Sequence, residues 1–212
     1  IPFTNTVGND HFSKPITLPF AFDFYGKVYD KVVVGSNGRL IFGKGSDFEN
    51  LHLASIDKTH SGNDASSTNI KLASDEYHKL DPSDPNRILS FSQIFFGFTD
   101  LGYYNASDYN KLTYGNVNYN GKQGVLFNFD QIRERTVAGG YSTTVTSQVL
   151  LLNDNTYIVK VIKADSRGNA IIGIQNENGT KAQWPPNSEQ TSPYNNGKWS
   201  NSSNAWLFTP NQ

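Results

Sequence analysis

The chain has 212 residues, with 18 Lys and Arg against 19 Asp and Glu, and no cysteine or methionine. That length holds one sizeable domain or at most two small ones, and a balanced charge without a basic stripe removes the electrostatic case for nucleic acid. The lack of cysteine excludes disulfides, thiolate nucleophiles and Cys-based zinc sites, and it leaves the redox compartment open.

No apolar run approaches the ~20 residues of a membrane-spanning helix, so membrane insertion is not expected. The chain opens on Ile1 without a methionine anywhere. An excised or processed piece of a longer protein is the natural reading, with any leader or anchor outside it.

Strand-length apolar runs closed by turn residues dominate, and helical periodicity is scarce. Residues 16–24 read as a strand that Pro19 assigns to an edge or a bend. Lys31 to Val34 and Arg39 to Phe42 follow, joined by Gly35-Ser36-Asn37-Gly38, where Asn-Gly predicts a two-residue hairpin turn. Between about 44 and 90 the pattern dissolves into Ser, Asn, Asp, His and Lys. So long a stretch predicts either an insertion covering one end of the molecule or a short strand near Ile70 to Leu72.

Further strands are predicted at 88–98, 112–119, 124–129 and 143–152. Asn153-Asp154-Asn155 then turns the chain into another at 157–162. Residues 170–175 and 205–208 supply the last two. About ten strands, with no alternating helices, predict an all-β fold: a single antiparallel, jelly-roll-like β-sandwich over residues 1–212 with a loop-rich insertion at about 44–90.

Catalytic constellations are hard to assemble. Ser36 has flanking glycines, but it sits in a predicted hairpin and not on the strand-to-helix elbow a serine nucleophile uses. His11, His52, His60 and His78 form no ligand pair at helical or strand spacing. Asp23, Asp100, Asp130 and Glu134 fall near strand ends, where a glycosidase could draw its two facing carboxylates; acids at such places usually form turns. Asp75, Glu76, Asp81 and Asp84 offer hard oxygens in one loop, so calcium is the one candidate cofactor, although the spacing is not that of an EF-hand.

Aromatic loop residues are more suggestive. Trp184, Tyr194 and Trp199 lie in one polar loop, and Tyr103 and Tyr104 sit among Asn and Asp in another. Such rings either fold back as lids over the sandwich end or stack on sugar rings and partner side chains. Sequons beginning at Asn105, Asn178 and Asn201 decide nothing in a chain so rich in Asn and Ser.

Four pieces carry a family likeness: residues 18–26 (Leu-Pro-Phe-Ala-Phe-Asp-Phe-Tyr-Gly), residues 29–38 (Tyr, an apolar run, Gly-Ser-Asn-Gly), residues 146–151, and the pair 172–176 with 205–210. In this order they resemble a module of gliding-motility-associated, type IX-secreted surface proteins of Bacteroidetes-type bacteria. The Ser-Asn-Gly and Phe-Gly elements are more loosely similar to nidogen-like extracellular domains. Members of the former often place a Cys before Phe-Tyr-Gly, where this chain has Phe22 and Asp23, and the 44–90 stretch has no counterpart.

The resemblance implies secretion, display on the bacterial cell surface and a role in adhesion or gliding motility, with no catalytic residues to carry over. The leading expectation is therefore a non-enzymatic module that contacts a surface glycan or protein, or serves as a stalk beside neighbouring domains. A carbohydrate-binding module of a secreted polysaccharide-degrading enzyme is the alternative, with Tyr103, Tyr104, Trp184, Tyr194 and Trp199 as its platform. A sandwich-fold hydrolase is the third reading.

Overall fold

A computed structural model of the protein describes residues 13–48, 91–98, 101–102, 108, 110–135, 141–163, 171–177, 181–183 and 204–210. Their strands are β1 (Ile16–Phe24), β2 (Lys27–Gly35), β3 (Arg39–Gly43), β4 (Gln93–Phe98), β5 (Leu101–Gly102) and β6 (Leu112–Tyr119). There follow β7 (Lys122–Arg135), β8 (Tyr141–Leu152), β9 (Tyr157–Lys163), β10 (Ile171–Gln175), β11 (Ala182–Gln183) and β12 (Asn204–Phe208). One sheet has the order β1-β2-β3-β4-β10-β11; the second runs β12-β9-β8-β7-β5, with β6 also paired to β7. Every pairing is antiparallel, and the fold is the expected all-β sandwich.

Two breaks in the ladders follow from local chemistry. The β1–β2 register shifts between Thr17 and Phe22, the interval that holds Pro19, and β1 ends its sheet among the described residues. Proline has no N–H for a ladder, so edge and bulge are where it belongs. β7 continues past Phe129 through a bulge before Ile132, with Gln131 at φ 53°. The Gln131 N–H donates to Thr146 Oγ1 at 3.0 Å, which replaces the lost ladder bond.

The two sheets meet through aromatic side chains. Phe22, Phe24, Phe42 and Phe96 come from the first sheet, and Phe127, Phe129 and Tyr157 from the second; all are buried. Phe24 stacks on Phe42 at 4.5 Å, and Phe96 meets Phe129 edge-on at 5.0 Å. Tyr157 lies 5.6 Å from Phe24 and stacks on Phe208 at 4.9 Å. Each such ring removes enough apolar area from water to contribute about 1.5–3 kcal/mol.

The first sheet is also covered on its far side. Val33, Ile41 and Phe95 alternate with the core residues along β2, β3 and β4, yet they are fully buried too. Arg39 shares that side, wholly buried, with its guanidinium 5.1 Å over the Phe98 ring. Phe48 stacks on Phe91 at 5.8 Å and lies over Gly43, where a Cβ would come within 2.5 Å of its ring. The described flanks of the 44–90 stretch thus sit on the outer face of the first sheet.

On the second sheet's outer face, cross-strand register lines up Leu207, Ile158, Leu150 and Leu126 in one row. The next row is polar: Lys160, Gln148, Asn128 and Thr113. Gly124 lets Leu150 and Leu152 lie flat on the sheet, because a Cβ there would meet their methyl carbons at 3.0 and 2.9 Å. That is how both leucines are buried on an outward face.

The β2–β3 connection differs from the expected turn. Gly35 pairs with Arg39, leaving three loop residues, and only Gly38 has positive φ (102°). Asn37 is fully buried, and its Oδ1 accepts the Leu101 N–H at 3.0 Å. Its side chain therefore holds the start of β5, at the point where the chain leaves the first sheet for the second. The two-residue Asn-Gly turn occurs instead at Asn120-Gly121, where both φ angles are positive. β2 starts earlier and β4 later than predicted, β7 is longer, and the short β5 and β11 are absent from the sequence reading; any strand near Ile70 lies outside the described residues.

Gly38→Ala is expected to destabilise the protein by about 2 kcal/mol or more. Its φ is hostile to a side chain, and the new Cβ would sit 3.2 Å from the Gly97 carbonyl oxygen and the Phe98 Cα. Urea unfolding of the two proteins checks it.

Candidate functional site

The residues singled out from sequence lie almost entirely outside the described residues: Tyr103, Tyr104, Trp184, Tyr194 and Trp199, together with Asp75, Glu76, Asp81 and Asp84. The four histidines and Asp100 do so as well, as does the side chain of Glu134. Asp23 and Asp130 are described. Asp23 Oδ1 accepts the Gly26 N–H at 2.9 Å, which makes it a turn former. Asp130 is exposed in the β7 bulge, and its N–H donates to the Lys111 carbonyl at 3.0 Å. Among the described residues no group of three or more His, Cys, Asp or Glu could hold a metal.

What the fold does build is a cleft of about 250 Å³ at one end of the sandwich. The β1–β2 hairpin forms one wall with Asp23, Phe24, Tyr25 and Gly26. Asn155 and Tyr157 reach it from the β8–β9 turn of the opposite sheet. Ile174, Lys181 and Gln183 come from β10 and its return strand, while Thr209 and Pro210 follow β12. Both sheets contribute, so the cleft exists only when the sandwich is closed.

The hairpin that shapes this wall is strained. Phe24 pairs with Lys27, so Tyr25 and Gly26 are the two turn residues, at φ 54° and 77°. A primed turn that follows strand twist demands positive φ at both positions, normally met by Asn-Gly. Tyrosine in the first position costs about 1–2 kcal/mol of backbone strain. Its ring packs edge-on against Phe24 at 5.0 Å, while its buried hydroxyl has no hydrogen-bond partner among the described residues. An unmet buried hydroxyl costs a further ~1–3 kcal/mol. Burial pushes the Tyr25 phenol up to about 12 and raises the Tyr157 phenol still further.

Asn155 closes the cleft from the other sheet. It too has positive φ, at 65°, which asparagine tolerates. Its Oδ1 accepts the Asp23 N–H at 2.9 Å, joining residues 132 positions apart. Beside it, Asp154 receives hydrogen bonds from Lys122 and Thr156, which hold its carboxyl down at about 2. This turn is therefore braced on both sides.

Chemically, the cleft has aromatic walls, one carboxylate (Asp23), one ammonium (Lys181) and the amides of Asn155 and Gln183. A single carboxylate does not make the facing pair that glycoside hydrolysis uses. In the sequence Phe24-Tyr25-Gly26 stands out only as part of the likeness over residues 18–26. The available signal was an aromatic residue where a two-residue turn calls for Asn or Asp; nothing local marks Lys181 or Gln183.

Two substitutions test this geometry. Tyr25→Phe should leave stability unchanged or raise it by up to about 1 kcal/mol, because an unpaired hydroxyl leaves with the mutation. It should also lessen alkaline destabilisation. Between pH 10 and about 12 the unfolded chain ionises this phenol and the folded one does not, so stability falls as pH rises. Asn155→Ala should cost ~1–3 kcal/mol through the lost bond to Asp23 and the positive φ, with Asn155→Gly intermediate. Denaturant midpoints across the pH range measure both.

A family model described as NIDO related, that is nidogen-related, matches residues 2–210. No curated protein and no solved structure matches the chain significantly. The chain belongs to the NIDO-related family, whose domains are an extracellular, non-catalytic module type.

Proposed function

We propose that this NIDO-related chain is an adhesive module of a large bacterial cell-surface protein of the gliding-motility-associated, type IX-secreted kind. It contacts a surface glycan or protein and performs no catalysis. The observation that carries this reading is the family match over residues 2–210, in a two-sheet sandwich whose described cleft holds only one carboxylate. The order of the Phe-Tyr-Gly, Gly-Ser-Asn-Gly and Trp206-Leu207-Phe208 pieces supports the bacterial surface assignment.

Among the described residues no helix is long and apolar enough to cross a membrane. Contact with larger ligands would fall to the loop aromatics Tyr103, Tyr104, Trp184, Tyr194 and Trp199. Calcium held by Asp75, Glu76, Asp81 and Asp84 would brace the 44–90 stretch.

Two measurements test the reading. Beads coated with the purified chain should be retained by defined glycan or cell surfaces and released by soluble competitor; no retention on any surface would overturn the adhesive role. Calcium at a hundredfold excess over its dissociation constant should stabilise the protein by roughly 2.7 kcal/mol, reversed by chelator. An unchanged unfolding midpoint would remove the calcium site and leave adhesion standing.

A further inference from the structure

We propose that the cleft between Tyr25, Asn155 and Lys181 binds one terminal sugar ring of a neutral glycan. This deepens the adhesive reading and rests on it, and it places a contact at the Tyr25 end of the sandwich.

Size comes first: about 250 Å³ suits a single hexose ring, not an oligosaccharide or a drug-sized ligand. The walls come next. Half-buried Tyr25, backed by the buried rings of Phe24 and Tyr157, gives the apolar surface that the C–H face of a sugar prefers. Then come the polar groups left over after folding. Asp23 spends Oδ1 on Gly26, and Asn155 spends Oδ1 on Asp23. The second Asp23 oxygen, Asn155 Nδ2, Lys181 Nζ and the Gln183 side-chain amide have no partner among the described residues.

Donors and acceptors are thus both available within one small space, as paired hydroxyls require. Charge selects among the remaining classes. An anion drawn to Lys181 meets the Asp23 carboxylate, and a cation drawn to Asp23 meets the Lys181 ammonium. A neutral polyhydroxyl ligand uses both without a repulsive contact, whereas a fully apolar ligand would strand every one of these groups. Strain at Tyr25 fits a wall shaped for contact, since costly backbone geometry and an unmet hydroxyl coincide at a cleft residue.

The test is an amide NMR titration of the whole chain with the methyl glycosides of glucose, galactose, mannose and N-acetylglucosamine. Glycine serves as a zwitterionic comparison. A ligand with about a dozen heavy atoms should bind in the millimolar range. At least one glycoside should produce saturable shifts at Gly26, Asn155 and Lys181, and glycine should not.

Asp23→Asn keeps an acceptor for the Gly26 N–H, and Lys181→Ala alters an exposed side chain. Each should weaken binding several-fold with an unchanged unfolding midpoint. The proposal is overturned by no saturable shift at tenfold higher concentration, by shifts mapping elsewhere, or by preference for glycine. If the glycoside shifts survive both substitutions unweakened, the cleft assignment falls and adhesion stands. If glycosides fill the cleft while no surface retains the beads, the adhesive reading falls alone.

Discussion

Everything in this molecule depends on two sheets staying together without a covalent link. With no cysteine available, closure rests on rings that reach across the interface: Phe22 and Phe24 against Tyr157, and Phe96 against Phe129. Aromatic side chains suit this task because each buries a large area while freezing only two torsions. They also explain a composition with a modest apolar share but 14 Phe and 11 Tyr. A Leu-rich core of equal volume would need more residues than these short strands can turn inward.

The same constraint produces the cleft. Phe24 must point into the core to stack on Phe42, and its neighbour in the tight turn is then forced to positive φ. The turn is held in place by Asn155, whose own backbone has taken the same uncommon conformation. Asn155 in one sheet thus ties down the strained turn of the other through a single hydrogen bond to Asp23. Tyr25 and Asn155 depart from local preference at this end, while the buried Asn37 side chain anchors the Gly35–Gly38 end.

Strand positions were largely legible because they depend on short-range pattern. β1 and β6 have the bounds that sequence alone predicts. β7 runs longer than predicted because alternation fails at Asp130-Gln131, where a bulge shifts the phase and pairing resumes. The Ser36-Asn37-Gly38 turn was misread for a different reason: Asn37 looked like a turn former, but its side chain serves a contact 64 residues away. Buried Arg39 gave no local sign either, since nothing nearby reveals that both faces of β3 are covered. The cleft is the extreme case, gathered from five separated segments whose meeting depends on sheet order.

Sheet order also sets how the molecule carries tension. β1 runs from Ile16 toward the Tyr25 turn, and β12 runs from Asn204 toward Thr209 at that same end. Ser13 and Pro210 therefore lie at opposite ends of the sandwich, each leading out of a strand that is at an edge among the described residues. A pull between them is directed along the strands, while the ladder hydrogen bonds lie across them. The bonds of β1 to β2 and of β12 to β9 are then loaded in shear, all together, and not peeled apart one by one. Loaded in this way, the many bonds of each ladder share the force.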